Sequence, residues 1–434
     1  MRIVQLTPGT GSFYCGTCLR DNALVAALRR LGHEAFMVPL YLPPTLDEAA
    51  ASDHMPVFYG GLNVYLQQHS RLFRKIPRWL DRLLDSPALL RAAARRAGAT
   101  QPRQLGELTL STLRGEEGNQ AKELERLTDW LVSEGPVDVV CLSNALLIGL
   151  ARRIREKTGA AVVCTLQGED YFLDLLPEPF RTQAWEILAV RAAELDAFVA
   201  VSHYYASVMR ARAQLPADRV HVVHNGIALD GYPQTPRTAV PQPPVLGYLS
   251  RMCPLKGLHT LVEAYILLRE RGRIPELRLR IAGTQTANDM PFVTQLQDRL
   301  TRAGLRDAVE FLPNLDREKK LAFLQGLSLL SVPATYGESF GLYLLEAWAA
   351  GVAVVQPRHA AFPELIEATG GGVLCEPDDP KALADTIELS LCDSTRLLQM
   401  GESGRKAVRD RFHVDAMAQN VLRVFERAIA YRRG

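Results

Sequence analysis

The sequence SVPATYGESFGLYLLEAWAAGVAVV, residues 331–355 of the 434-residue chain, has the order strand, glycine-containing loop, helix and strand. The first strand ends near Pro333, and the helix begins at about Gly341 and ends at Gly351, before a second β-branched run. This order predicts a parallel α/β sheet, whose ligands lie at the carboxyl ends of the strands. The free amide groups at the start of such a helix favour phosphate, and Gly341 lets a phosphate approach the backbone.

The same alternation of short β-branched runs and longer helical patterns extends to both sides of this segment. Strands are predicted at residues 2–6, 34–40, 137–142, 161–166, 197–202, 220–224, 245–249, 277–282, 309–312, 327–332 and 352–356. A proline-rich segment at residues 232–244 interrupts the series and cannot form a regular element. We therefore predict α/β domains at residues 1–235 and 245–412, with a helical insertion at about 68–135. Residues 413–434 have helical spacing and could pack on either domain.

Composition and charge exclude several classes of protein. The 50 Lys and Arg residues nearly balance the 48 Asp and Glu residues, and a net charge of +2 provides no field that would collect nucleic acid. Seven scattered cysteines do not make a disulfide framework, so reduced thiols are expected. The chain has no apolar run long enough to span a bilayer, and its start does not resemble a signal peptide. We expect a cytoplasmic protein.

One segment of the predicted insertion is basic and amphipathic. Residues 71–96 contain eight basic and two acidic residues with leucines, Ile76 and aromatic residues between them, although Pro77 and Pro87 divide the segment. Such a helix either packs on its own domain with a solvated basic face or lies peripherally on an anionic membrane. Both interpretations stay open.

Charged side chains gather at the predicted strand ends of the second domain. Glu338 lies in the loop before the helix that begins near Gly341, and Glu346 lies about one and a half turns inside it. Two carboxylates there can accept hydrogen bonds from vicinal hydroxyl groups. The run SRMCPLKG, residues 250–257, adds Arg251 and Lys256, which suit a diphosphate. The alternatives are that Glu338 caps the helix, that Glu346 pairs with a cation, and that the two cations are ordinary surface charges.

Taken together, four features resemble one enzyme family. They are the glycine-rich first loop, HNGI at residues 224–227, SRMCPLKG, and VPATYGESFGLYLLEA at residues 332–347 with its Glu-x7-Glu spacing. This ordered set resembles family 4 of the retaining GT-B glycosyltransferases over most of the chain. The resemblance implies two Rossmann-like, doubly wound domains facing a cleft, and often a C-terminal helix that crosses back to the first domain. It also implies a nucleotide-sugar donor held mainly by the second domain, and transfer that needs no metal and no cofactor.

The resemblance also assigns roles to individual residues of the donor site. Arg251 and Lys256 would bind the donor diphosphate, Glu338 the sugar hydroxyls and Glu346 the ribose, and Arg251, Lys256 and Glu338 are the predicted catalytic group. The remaining predicted donor-binding residues are Gly11, Asn225, Gly341 and Leu342, the last two through their amide groups. The expected acceptor is a sugar, a lipid-linked molecule or another small molecule with a hydroxyl group.

The first domain is predicted to provide the acceptor side. Gln167 stands where the family often has a histidine, and an amide cannot act as a base. Glu169 or Asp170 would then contact the acceptor, although capping of the next helix is an equal alternative.

Two glycines and two cysteines follow the first strand. The loop from Pro8 to Gly11 does not complete a GxGxxG motif, so no nicotinamide site is predicted. Cys15 and Cys18 form a CxxC pair, but no thioredoxin-like context surrounds them and no further pair of zinc ligands lies nearby. Two reduced cysteines are therefore expected. A sugar-nucleotide epimerase and a non-catalytic sugar-nucleotide binding protein remain as alternative functions.

Overall fold

The computed structural model describes residues 1–9, 14–52, 56–59, 64, 67–68 and 105–433. The chain divides into two compact units, one formed by residues 1–224 with 415–434 and the other by residues 225–414. Each unit is built around one parallel sheet of six strands.

The first unit contains the sheet β2-β1-β3-β4-β5-β6. Its strands are β1 (Arg2–Thr7), β2 (Glu34–Pro39), β3 (Val139–Leu142), β4 (Ala161–Leu166), β5 (Ala197–Ala200) and β6 (Val220–Val222). The α-helices described within residues 1–224 are α1 (Gly16–Arg30), α2 (Gly106–Arg114), α3 (Ala121–Ser133), α4 (Ala151–Thr158), α5 (Glu169–Asp174), α6 (Phe180–Ala192) and α7 (His203–Ala213). Strands β3 and β4 are buried along their whole length, as expected where helices cover both faces of a parallel sheet.

The second unit contains the sheet β12-β11-β10-β7-β8-β9. Its strands are β7 (Val245–Leu249), β8 (Arg278–Gly283), β9 (Val309–Pro313), β10 (Leu329–Leu330), β11 (Ala353–Pro357) and β12 (Gly372–Cys375). Its α-helices are α8 (Leu258–Arg271), α9 (Met290–Arg302), α10 (Arg317–Gln325), α11 (Leu342–Ala349), α12 (Phe362–Thr369), α13 (Pro380–Cys392) and α14 (Ser394–Arg411). The strand order reverses between β7 and β10, which pair in parallel at Leu246 and Leu329. In open α/β sheets, ligands bind outside the carboxyl ends of the strands at such a reversal of strand order.

The predicted fold class is confirmed, since both units have the parallel, doubly wound order of Rossmann-like sheets. Helices α2 and α3 lie within the predicted helical insertion. The basic segment at residues 71–96 lies outside the described residues. No helix in the described part of the chain is both long and apolar enough to cross a membrane.

The division between the units differs from the proline-rich boundary, because residues 225–235 group with the second unit. Backbone bonds attach this segment to the end of α14: Ile227 N–H donates to the Phe412 carbonyl over 3.1 Å, and Val414 N–H donates to the Ile227 carbonyl over 2.9 Å. The Arg409 guanidinium also donates to the Pro233 carbonyl over 2.6 Å. Proline marks an irregular segment but does not show which neighbouring element that segment contacts.

The last helix, α15 (Val414–Arg433), returns almost wholly to the first unit. At its start Asp415 pairs with Arg30 of α1 over 2.6 Å. Near its end the Arg432 guanidinium donates to the Gly159 carbonyl over 2.7 Å.

Candidate active site

The loops that follow β7 and β10 meet at the point where the strand order of the second sheet reverses. Thr335 N–H donates to the Leu255 carbonyl over 2.9 Å. Gly257 begins α8 with a φ of +68°, and a Cβ atom there would lie 1.7 Å from the Pro333 carbonyl oxygen. Only glycine fits this conformation and this contact. The close packing of the two loops places Lys256 beside the Glu338 loop.

Lys256 and Glu338 form the centre of the site. The Lys256 Nζ lies 2.5 Å from Glu338 Oε2, and the Tyr343 hydroxyl donates to the same oxygen over 3.1 Å. The Lys256 ammonium also donates to the Tyr336 hydroxyl over 2.5 Å and lies 4.8 Å from the centre of its ring. The Glu338 carboxylate therefore binds a cation and a phenol, and it does not cap the helix that follows.

Burial and charge together fix the protonation of this cluster. Burial would lower the pKa of Lys256, but the Glu338 carboxylate and Tyr336 outweigh it, so the Lys256 pKa lies above its ordinary value. Burial raises the pKa of Tyr336 and that of Tyr343, and the Glu338 charge adds to both shifts. At neutral pH the site holds an ammonium group and two phenols that keep their protons.

Helix α11 begins directly after this cluster. Gly341 has a φ of +89°, and a Cβ atom added there would lie 3.2 Å from the Tyr343 ring. Gly341 has no side chain that could cap the helix, and the Leu344 amide donates to the Gly341 carbonyl over 3.0 Å. The amide groups at the very start of the helix, those of Leu342 and Tyr343, are the ones that a ligand could use. This geometry suits the predicted phosphate contacts of Gly341 and Leu342, which stay predictions.

The other two predicted charges have different partners. The Arg251 guanidinium donates to the buried Asp289 carboxylate, with Nε–Oδ1 and Nε–Oδ2 distances of 3.1 and 3.2 Å. Glu346 Oε1 lies 2.7 Å from the Nζ of Lys320 on α10. This ion pair is the alternative that the sequence left open for Glu346. The structure thus joins Lys256 to Glu338 and gives Arg251 and Glu346 partners of their own.

Asn225 and Gly11 are the two remaining residues of the predicted donor site. Asn225 is buried at the start of the second unit, a few residues after β6. Gly11 lies outside the described residues.

The predicted acceptor residues form a hydrogen-bonded cluster in the first unit. The buried Glu169 carboxylate accepts the amide groups of Ala145 and Gln167 over 2.9 and 2.7 Å, and the Tyr205 hydroxyl over 3.2 Å. Burial raises the pKa of Glu169, although the backbone amides of Ala145 and Gln167 oppose the shift. The Glu169 side chain thereby joins the loops after β3 and β4.

The neighbouring groups are less enclosed. The Gln167 amide donates to the Ser143 carbonyl over 2.8 Å, and Asp170 accepts the Tyr205 hydroxyl over 3.0 Å. Burial raises the pKa of Asp170 as well. Whether these residues contact an acceptor stays a prediction.

Sequence reasoning missed the partners of the charged residues. Tyr336 and Tyr343 lie inside the segment quoted first, but a tyrosine beside a carboxylate gives no distinctive pattern. For Asp289 the sequence does contain a recognisable pattern, the Thr-x-x-Asp spacing of a capping box. Thr286 and Asp289 form this box, and the Thr286 hydroxyl donates to Asp289 Oδ2 over 2.6 Å. Lys320 had none. Among the described residues, no group of three or more His, Cys, Asp or Glu side chains is placed to hold a metal ion.

Two family models match consecutive parts of the chain. The model of glycosyl transferases group 1 matches residues 235–407, and that of glycosyltransferase family 4 matches residues 108–230. The matched parts of the chain are therefore glycosyltransferase domains of these two families. The two matches confirm the resemblance drawn from the motifs.

Curated relatives of this chain match over part of their length. A D-inositol 3-phosphate glycosyltransferase of Streptomyces scabiei is 33% identical over 227 residues, which are 49% of this chain and 50% of the relative. A protein of the same name from Xylanimonas cellulosilytica is 30% identical over 270 residues, 59% of this chain and 62% of the relative. The chain thus spans about half the length of the curated relatives it matches.

Solved structures match over nearly the whole chain and support the fold. The sucrose-phosphate synthase of Thermosynechococcus elongatus has a TM-score of 0.72 with 18% identity, covering 99% of both chains. Anabaena Alr3699/HepE, solved in complex with UDP, has a TM-score of 0.68 with 18% identity, covering 98% of this chain and all of that one.

Proposed function

We propose that this protein is a retaining glycosyltransferase that moves a sugar from a nucleoside-diphosphate sugar to a hydroxyl group of an acceptor. The observation that carries the proposal is the Lys256–Glu338 pair, held by Tyr336 and Tyr343 at the start of α11. A cation, a carboxylate and free helix amides at one sheet edge suit the diphosphate and the sugar hydroxyls of such a donor.

In this scheme the positively charged groups stabilise the departing diphosphate. As the bond from the sugar to the diphosphate breaks, negative charge grows on the phosphate oxygens, and Lys256, Arg251 and the first amides of α11 neutralise it. A charge-assisted hydrogen bond contributes about 1.5 to 3 kcal/mol. Two of them would accelerate transfer by about two to four orders of magnitude.

Two finer features belong to the same proposal. Because the protein supplies this positive charge itself, transfer proceeds without a metal ion or other cofactor. The sugar keeps its anomeric configuration, since the acceptor attacks from the face that the diphosphate leaves. Glu338 then holds sugar hydroxyls, and Glu346 exchanges its Lys320 contact for the ribose.

The relatives suggest which acceptors to test first. Because the curated relatives are named D-inositol 3-phosphate glycosyltransferases, we propose a polyol phosphate as the first acceptor class. Free sugars and lipid-linked acceptors form the second set.

A ligand panel followed by a transfer assay tests the function. UDP, GDP, ADP and their glucose conjugates are compared by thermal shift, because a ligand that binds the native state raises its melting temperature. The nucleotide that binds is then supplied as its sugar conjugate with each acceptor, with and without EDTA. We expect acceptor-dependent release of the nucleoside diphosphate, unchanged by EDTA, and a product with the donor's anomeric configuration. Interconversion of the sugar without acceptor would instead indicate an epimerase, and binding without turnover a binding protein.

A further inference from the structure

The two cysteines that follow β1 occupy the first turn of α1. Cys15 is the N-cap residue, with φ −119° and ψ 124°, and Cys18 is the third residue of the helix. The carbonyl of Cys15 accepts the Leu19 amide over 3.0 Å, which closes this turn. Cys15 is half-buried, whereas Cys18 is fully buried. Cys15 therefore lies nearer the surface than Cys18, which follows it by one helical turn.

The Cys15 thiol differs chemically from the buried cysteines elsewhere in the described chain. Burial raises the pKa of Cys141 and that of Cys375 to about 12. A hydrogen bond from the Cys18 thiol outweighs burial at Cys15 and, with backbone amides of the same turn, lowers its pKa to about 6. The pKa of Cys18 is raised, because it shares its proton with Cys15 and is itself buried. Cys15 is thus the more acidic thiol of the pair, and Cys18 is the one that keeps its proton.

A buried carboxylate lies one helical turn beyond Cys18. Asp21 is fully buried and accepts the hydroxyls of Thr7, over 2.9 Å, and Ser143. It also pairs with the Arg20 guanidinium over 3.1 Å. Burial nevertheless raises the pKa of Asp21, and its charge adds to the upward shift of the Cys18 pKa. Cys18 and Asp21, three residues apart in α1, are thus both buried and close enough to interact electrostatically.

We propose that Cys15 and Cys18 form a redox-active dithiol, with Cys15 as the attacking sulfur, Cys18 as the resolving sulfur and Asp21 as the proton acceptor. The co-reactant is a low-molecular-weight disulfide. This proposal is independent of the glycosyltransferase proposal, because it concerns thiol chemistry of the first unit only.

The exchange takes place in two balanced steps. The Cys15 thiolate attacks one sulfur of the small disulfide, so a mixed disulfide forms and one small thiolate leaves. Cys18 then passes its proton to Asp21 and attacks the Cys15 sulfur, which releases the second small thiolate and closes the Cys15–Cys18 disulfide. The protein loses two electrons, the small disulfide gains them, and the proton leaves Asp21 for solvent.

Alkylation kinetics test the first sulfur. The full reduced chain is treated with iodoacetamide between pH 4.5 and 9, and the modified peptides are quantified by mass spectrometry. At pH 5.5 a thiol of pKa about 6 reacts roughly 10- to 25-fold faster than one of pKa about 8.5, after correction for its weaker nucleophilicity. We expect a rate midpoint near pH 6 for Cys15. In Cys18→Ala the midpoint should rise and the rate at pH 5.5 should fall about tenfold.

Oxidation tests the pair. Titration of the wild-type chain with oxidised glutathione should yield a peptide linked between Cys15 and Cys18, whereas Cys18→Ala should stop at a mixed disulfide on Cys15. Cys392, which is exposed and has no neighbouring cysteine in sequence, serves as the control for simple accessibility.

The role of Asp21 has its own readout. Asp21→Asn should slow closure of the mixed disulfide at least tenfold, while alkylation of Cys15 keeps its midpoint near pH 6. Equal closure rates would overturn the assignment of Asp21. A Cys15 midpoint above pH 8, or no linked peptide in excess oxidised glutathione, would overturn the dithiol itself.

Discussion

Replacement of Lys256 by methionine should destabilise the second unit, because it leaves the Glu338 carboxylate buried without its cation. The exposed fractions of the two side chains are 20% and 7%. Removal of one partner of a buried ion pair costs about 3 to 5 kcal/mol, and the partial exposure of Lys256 favours the lower end. For a domain of 150 to 250 residues, a loss of about 3 kcal/mol lowers Tm by roughly 6 to 12 °C.

A matched substitution separates this effect from the loss of any positive charge. Arg251 is 45% exposed, and its partner Asp289 keeps the Thr286 hydroxyl and amide. Arg251→Met should therefore cost less than about 1 kcal/mol, or about 2 to 4 °C in Tm. Differential scanning calorimetry of the full chain measures both variants without ligand. The double variant Lys256→Met with Glu338→Gln should lose less Tm than the two single variants lose together, because no buried charge remains unpaired in it.

The contribution of Lys256 to folding stability should depend on pH in one direction only. The pKa of Lys256 is raised on folding, so its contribution to stability is fully present below the unfolded value of about 10.4 and is lost only as the pH rises through the folded value. The difference in Tm between wild type and Lys256→Met should thus be constant from pH 6 to pH 9. A difference below 2 °C, or additive effects in the double variant, would refute the reasoning.

Three further predictions concern the donor site and the basic segment. Tyr343→Phe keeps the ring but removes the hydroxyl group that donates to Glu338. Sugar transfer should slow about tenfold, while isothermal titration calorimetry should show unchanged binding of the free nucleoside diphosphate. Glu346→Ala should weaken that binding about tenfold, whereas Lys320→Met, which spares the carboxylate, should leave it within threefold; equal losses would argue against a ribose contact. Residues 71–96 should bind anionic vesicles weakly, because each basic residue near such a surface contributes only about 1 kcal/mol of attraction, and high salt should abolish the binding. Co-sedimentation that persists in high salt would contradict an electrostatic contact.

The backbone of the site was predictable because its signals are local. A loop with glycine, a largely apolar helix and a β-branched run follow one another within residues 331–355, and each has its own short-range physical cause. The same holds for Gly257, which follows Lys256 at the start of α8. The helix start at Leu342 agrees with the prediction, whereas β10 ends at Leu330, three residues before the predicted strand end near Pro333.

The partners of the charged residues were not predictable, because they come from distant parts of the chain. Lys256 and Glu338 are 82 residues apart, and Arg251 and Asp289 are 38 apart. Periodicity places each group at a sheet edge, but the choice of partner depends on how neighbouring loops pack, here through the contact of Gly257 with Pro333. The sequence indicated cations for phosphate and carboxylates for hydroxyls, and it gave no reason to expect that Lys256 and Glu338 bind each other.

This pairing changes how substitutions at the site must be interpreted. A donor phosphate that binds Lys256 has to share it with Glu338, so the net gain is smaller than for an unpaired ammonium, which would face no competing acceptor. Conversely, Lys256→Ala removes a phosphate ligand and also releases the oxygen of Glu338 that Tyr343 and Lys256 hold in common. Loss of activity in that variant alone therefore cannot be assigned to the phosphate. Because Tyr343→Phe disturbs only Glu338, comparison of its kcat and KM with those of Lys256→Ala distinguishes diphosphate stabilisation from positioning of the carboxylate.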